Sequence, residues 1–271
     1  WCIAAVPGIS WARKVFPGLS DGDAVEKLWE EILRCSRALD GNGVEAWREH
    51  DDDLRRRCEY LNSLGLRRLI YRSESTGTDF SVGLMPEGVF MGGDEVLPGT
   101  DLHYNPNLPS EEVFTSPRRG DAEGVLYATR PLSYRGVPIE NFSIRFENGR
   151  VSEVHAEKNE EALKLMVQMD EGASMLGECA LVPYNSPIRE SGILFYDTLF
   201  DENAACHMAL GMGFTNCLRD YEKYTLDEAR ALGVNDSMIH EDFMIGSADL
   251  CITGVTADGR EVEIFKNGGW A

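Results

Sequence analysis

The hydrophobic rhythm of this 271-residue chain changes at Arg67, and that change constrains its fold more than any other feature. Before it, apolar residues recur at helical spacing. After it, short runs rich in β-branched and aromatic residues alternate with turns built from Gly, Asp and Pro. In the first part, Ser20 caps a helix with Asp23 three residues on, and Val25, Leu28, Trp29, Ile32, Leu33 and Leu39 follow as its apolar stripe. Asp40 to Gly43 breaks the helix. A second one runs to about Leu64, with Val44, Trp47, Leu54, Cys58 and Leu61 on one face and Gly65 at its end. Neither heptad run lasts long enough for a coiled coil, so both helices are expected to pack on a sheet.

The second part supplies the sheet. Strands are expected over 69–71, 80–84, 89–91, 125–129, 134–139, 142–147 and 150–155, with Asn148-Gly149 as a hairpin turn. A helix follows over 158–169, then strands over 175–183 and 192–199. A capped helix over 225–232 is stopped by Gly233. The last hairpin joins 250–255 to 261–265 across Ala257 to Gly259. The expected fold class is α/β (α+β), a mixed, mostly antiparallel sheet with packed helices. It divides into a helical lead-in (1–66) and a mixed α/β region (67–271).

Three segments carry chemistry. Residues 200–211 read as a helix start capped by Asp201 or Asn203, with Glu202 in the first turn and His207 one turn on. Residues 239–246 read as a strand, which turns His240 and Asp242 to the same side. Glu178 sits in an otherwise apolar strand, so it must meet a cation, accept several hydrogen bonds or be neutral. A metal ligand is the favoured reading, and an ion pair with an arginine is the other. Glu112 stands at the entry to a further strand, with Arg118 and Arg119 beyond its end. Two histidines among carboxylates suit zinc, cobalt or manganese, and such a set can hold two divalent ions with one carboxylate between them. That chemistry fits hydrolysis of an amide or a phosphoester. A core histidine beside an exposed acidic pair is the plainer alternative.

Composition narrows the partners. The net charge is −20 and the pI about 4.6. Such a surface repels phosphate backbones, which argues against nucleic acid, and attracts metal ions or protonated amino termini. The same charge also simply keeps a protein soluble. Seven cysteines, odd in number and without a C-x-x-C pair, read as free thiols of a reducing compartment. No apolar run reaches the length of a membrane span. The chain opens on Trp1 rather than Met, so its natural N-terminus is expected further upstream.

Four segments together resemble the metalloaminopeptidase family of aminopeptidases T and S: Glu-Val-Phe-Thr-Ser-Pro at 112–117, Leu-Gly-Glu at 176–178, Asp-Glu-Asn-Ala-Ala-Cys-His at 201–207 and His-x-Asp-Phe-Met-Ile-Gly at 240–246. Residues 11–17, 24–29 and 77–84 add less specific matches, so the resemblance runs through essentially the whole chain. It implies release of N-terminal residues from peptides with two divalent ions. The implied ligands are Glu112, Glu178, His207, His240 and Asp242, with Glu178 as the shared carboxylate or the group facing the attacking water. It also implies a cytoplasmic homodimer with the site in a cavity, at strand ends and one helix N-terminus. Two departures stand out. The family's N-terminal domain is absent from this chain. Phe214 stands where a tyrosine is expected seven residues after the first histidine, and Tyr221 or Tyr224 is the nearby substitute. Both departures motivate an alternative, a non-catalytic metal- or peptide-binding module.

Overall fold

A computed structural model describes residues 1–97 and 99–271. Three helices open the chain: α1 (Ile9–Val15), α2 (Asp21–Cys35) and α3 (Gly43–Ser63). Ser20 caps α2 as expected. Its Oγ accepts the Asp23 N–H at 3.3 Å and donates to the Asp23 carboxylate at 2.6 Å. Gly65, at φ +62°, ends the helical part in the left-handed conformation that glycine adopts without a steric penalty.

The strands that organise the rest are β1 (Leu66–Ser73), β2 (Thr78–Leu84), β3 (Val113–Thr115), β4 (Pro117–Tyr127), β5 (Val137–Glu147), β6 (Arg150–Lys158), β7 (Leu176–Leu181), β8 (His207–Gly211), β9 (His240–Met244), β10 (Cys251–Thr256), β11 (Glu261–Lys266) and β12 (Gly269–Trp270). A large sheet runs β6-β5-β4-β2-β1-β10-β11-β12, with the short strand Leu132–Tyr134 beside β5. A separate four-stranded sheet runs β9-β8-β7-β3. Every pairing in both is antiparallel. Helices α4 (Glu160–Val167), α5 (Pro187–Glu190), α6 (Thr198–Glu202) and α7 (Leu226–Leu232) lie in the connections. The mixed, mostly antiparallel α/β class is the one the sequence predicts.

One core lies between the sheets and α3, with Leu54, Cys58 and Leu61 of the helix packed among Tyr71, Phe80, Phe146 and Phe243. A second, smaller core corrects the expectation that α2 lies on a sheet. Leu28, Ile32 and Cys35 of α2 instead pack against Ala12 of α1 and Phe195 and Phe200. An apolar stripe needs only an apolar partner, and these aromatic side chains supply it without a sheet. Leu39 and Val44 fall outside either core and are exposed.

Three local expectations also give way. Residues 89–91 make only a single bridge, Met91 to Phe114, and residues 192–197 are irregular. The helix at 200 ends at Glu202, and His207 opens a strand. Ala204, Ala205, Met208, Ala209 and Leu210 are good helix formers. Here all five are buried, and Met208 to Leu210 lie in a strand paired on both sides, so tertiary context overrides propensity.

Candidate metal centre

The four-stranded sheet is a sorting device. Along β7, β8 and β9, Cys179, Leu181, Met208, Leu210 and Phe243 turn to the core. The intervening positions, Glu178, His207, His240 and Asp242, share the other face, as the two-residue period requires. Register then brings them together. Glu178 pairs with Ala209, which pairs with Asp242, while Gly211 lies opposite His240. The small residues on the central strand leave the space between the two carboxylates open. Glu112 joins from the residue before β3. Its position is fixed by Asn203, whose side-chain oxygen accepts the Glu111 N–H at 2.7 Å. Glu111 itself is held by Arg37.

Two groups of three ligand-type side chains result. Glu112, Glu178 and His207 form one, and Glu178, His240 and Asp242 the other; within each, the ligand atoms lie within 4.8 Å of one another. Glu178 belongs to both. His207 Nε2 lies 3.1 Å from Glu112, and His240 Nε2 lies 3.1 Å from Glu178 and 3.5 Å from Asp242. Each ring uses its other nitrogen on a backbone carbonyl: His207 Nδ1 on Ala205 at 3.2 Å, His240 Nδ1 on Met212 at 2.7 Å. That is the outer support metal-ligating histidines have, because it fixes the tautomer and aims Nε2 inward. Among the described residues Glu178 pairs with His240 and no arginine, so the ion-pair reading of its burial is set aside.

The electrostatics are those of a site short of cations. Glu112, Glu178, His207 and Asp242 are each under 8% exposed. Burial pushes the Glu178 carboxyl up to about 7, and the charges of Glu112 and Asp242 add to it against the His240 hydrogen bond. Burial alone would lower both imidazoles. The surrounding carboxylates outweigh it, raising His207 to about 9, chiefly through Glu112, and His240 to about 11, through Asp242 and Glu178. Burial also works against ionisation of Asp242, but its histidine neighbours hold its pKa below the ordinary value. Its Oδ1 is buried and accepts no hydrogen bond. Buried, converging oxygen and nitrogen donors with an unmet acceptor fit a divalent cation.

One carboxylate escaped the sequence reading. Glu202, expected in a first helical turn, ends α6 instead and lines the same cavity as Glu178, His240 and Asp242. Burial, then the charges of Asp242, Glu112 and Glu178, push its pKa well up. The centre thus runs from strand starts at His207 and His240 to mid-strand at Glu178 and Asp242, beside the end of a helix rather than its start. It floors a cavity of about 500 Å³ whose wall includes Phe90, Phe114 and Phe214. The Phe214 ring centre is 4.8 Å from that of His240 and 5.8 Å from that of Phe114. Neither proposed substitute for a tyrosine here lines this cavity. Tyr221 is exposed, and Tyr224 packs beside Met85 and Leu218.

Fold and site together describe an α/β protein with a carboxylate–histidine centre suited to divalent metal. More particularly, the chain belongs to the thermophilic metalloprotease (M29) family, whose model matches residues 1–270. It is 44% identical over 271 residues to aminopeptidase AmpS of Bacillus subtilis, and 44% identical over the same length to aminopeptidase 2 of Geobacillus stearothermophilus. Each match covers all of this chain and 65% of the relative. The solved structure of AmpT from Thermus thermophilus superposes with a TM-score of 0.89 at 41% identity, again over 100% of this chain and 65% of that one. The chain therefore spans about two thirds of the length of the curated relatives it matches.

Proposed function

We propose that residues 1–271 carry the catalytic portion of a metal-dependent aminopeptidase, which removes N-terminal residues from peptides. The observation that carries the reading is Glu178, one buried carboxylate common to two ligand groups, in a chain whose family is metalloprotease. In this reading Glu112, Glu178 and His207 hold one divalent ion, and Glu178, His240 and Asp242 the other, with zinc, cobalt or manganese suited to the donors. Such ions, when bound, polarise a carbonyl and make water nucleophilic near neutral pH. The chain's own part is to hold the ligands. Ala205 and Met212 orient the two imidazoles, and Asn203 sets the Glu112 loop. The acidic floor draws the protonated amino terminus of a peptide into the cavity, and the aromatic wall excludes water from its side chain.

Residues 1–66 serve as a helical lead-in to the site-bearing region. Free cysteines suit a reducing cytoplasm, and a homodimer is the expected assembly. Among the described residues, no helix is long and apolar enough to cross a membrane.

One observation favours a second reading, a metal- or peptide-binding module without turnover. The aromatic ring beside His240 belongs to Phe214 and has no hydroxyl to offer a developing oxyanion. Metal content by elemental mass spectrometry, after dialysis into zinc or cobalt, followed by assays of N-terminal residue release, tests both. About two ions per chain, lost in His207→Ala, with release of free amino acid, is the expected result. Metal retention with peptide affinity and no release would favour the module. No retained metal would overturn the ligand set.

A further inference from the structure

A different cavity, of about 770 Å³, is lined by Arg130, Arg189, Tyr184 and hydroxyl side chains including Ser75, Ser143 and Tyr127. None of the five proposed ligands touches it. Its one acidic wall residue, Glu157, already accepts a hydrogen bond from Asn141 at 2.6 Å.

The two arginines are incompletely paired. The Arg130 side chain is only 12% exposed. Its Nη2 donates to the Ile193 carbonyl at 2.5 Å and lies 3.5 Å from Asp201, a carboxylate already engaged by the Phe195 and Asp197 N–H groups. Among the described residues, its Nε and Nη1 have no hydrogen-bond partner. Arg189 donates from Nη2 to the Tyr184 hydroxyl at 2.6 Å and stacks 4.7 Å above that ring. No carboxylate among the described residues lies within ion-pair distance of it. Burial lowers the Arg130 pKa, Asp201 opposes that, and the charge of Arg189 lowers it again, so the two cations feel one another. Neither Nε nor Nη1 of Arg130 is enclosed, so both open onto the cavity, and a second guanidinium facing the same space adds repulsion. In a chain of net charge −20, this is an unusual arrangement to keep.

We propose that this cavity is an oxyanion site, in which Arg130 and Arg189 clamp a phosphate or a carboxylate through their planar N–H forks. Guanidinium pairs match such groups bidentately, and an anion between them cancels their repulsion while meeting the free donors. The neighbouring hydroxyls of Tyr127 and Ser143 complete a polar wall for the remaining oxygens.

Isothermal titration calorimetry at fixed ionic strength tests this on the 271-residue chain with zinc or cobalt loaded, and again after chelation. The probes are inorganic phosphate and an N-acetylated dipeptide with a free C-terminus, with its C-terminal amide as control. Saturable binding of one probe, unchanged by chelation, is expected. Arg189→Met is expected to weaken it about tenfold or more, and Arg189→Lys, which keeps charge but loses the fork, by about threefold. Preference for phosphate identifies a phosphate-bearing ligand, and preference for the free acid over the amide identifies a carboxylate. Binding that vanishes on chelation would belong to the metal centre and overturn the proposal. So would binding of neither probe, or binding that Arg189→Met leaves intact in a chain whose thermal unfolding is unchanged.

Discussion

Replacing Glu178 by Gln should stabilise the metal-free chain while abolishing its metal binding. The carboxyl is buried beside Glu112 and Asp242, and its pKa stands at about 7 against an ordinary 4.5. A folded-state pKa above the unfolded one contributes stability that is complete below pH 4.5 and lost as pH rises through 7. Ionising Glu178 inside the fold therefore costs about 3 kcal/mol at pH 8. Gln copies the protonated carboxyl in shape and avoids that cost. In chelator, urea unfolding should show Glu178→Gln more stable than the natural chain by about 3 kcal/mol at pH 8, with the gap closing by pH 4. In zinc or cobalt the order should reverse, because ligands bound only by the native state stabilise it and the variant has lost the carboxylate common to both groups. Elemental mass spectrometry should find neither ion retained. Equal or lower stability of the variant at pH 8 in chelator would refute the electrostatic argument, and retention of two ions would refute the shared role.

Other substitutions probe the parts separately. Gly211→Ala combines a φ of +103° with a Cβ driven into the Ile239 carbonyl, and should cost about 3 kcal/mol in urea unfolding and weaken metal retention by prising β9 and His240 from β8. Asp249→Ala removes hydrogen bonds of 2.7–2.8 Å from Ser73, Ser75 and Ser247 and takes the shared carboxylate from two buried hydroxyls, Ser73 and Ser247, which keep their mutual bond. A loss of about 2–4 kcal/mol is expected. Those bonds hold the Asp249 pKa well below 3.8, so its contribution is present above that pH and fades on acidification, and the variant should lack that acid-side dependence. Phe214→Tyr places a hydroxyl in the cavity beside His240. Peptide-release assays should show a higher kcat at unchanged metal content, with about 10²–10³ as the ceiling if the hydroxyl reaches a developing oxyanion.

The sequence made the chemistry legible before the geometry. A glutamate in an apolar strand, a histidine and aspartate two apart, and a histidine among small residues are each hard to bury without a shared partner, so their types alone pointed to a cation. The capping of α2 by Ser20 and of α7 by Thr225 was equally plain, because caps are local chemistry. The segment from His207 to Leu210 was misread because helix propensity is a local average, whereas its conformation is set by strands far away in sequence. Glu202 was misplaced for the same reason.

The sequence by itself determined the fold class and the change of rhythm at Arg67, and it singled out five candidate ligand side chains. Only the tertiary structure decided that Glu178 belongs to two groups of ligand-type side chains, that Glu202 lines the same cavity, and that Arg130 and Arg189 face another. Residue type dictates what a side chain must find on burial. Strand register and loop closure dictate which distant partner it meets, and neither is encoded in any window short enough to read locally.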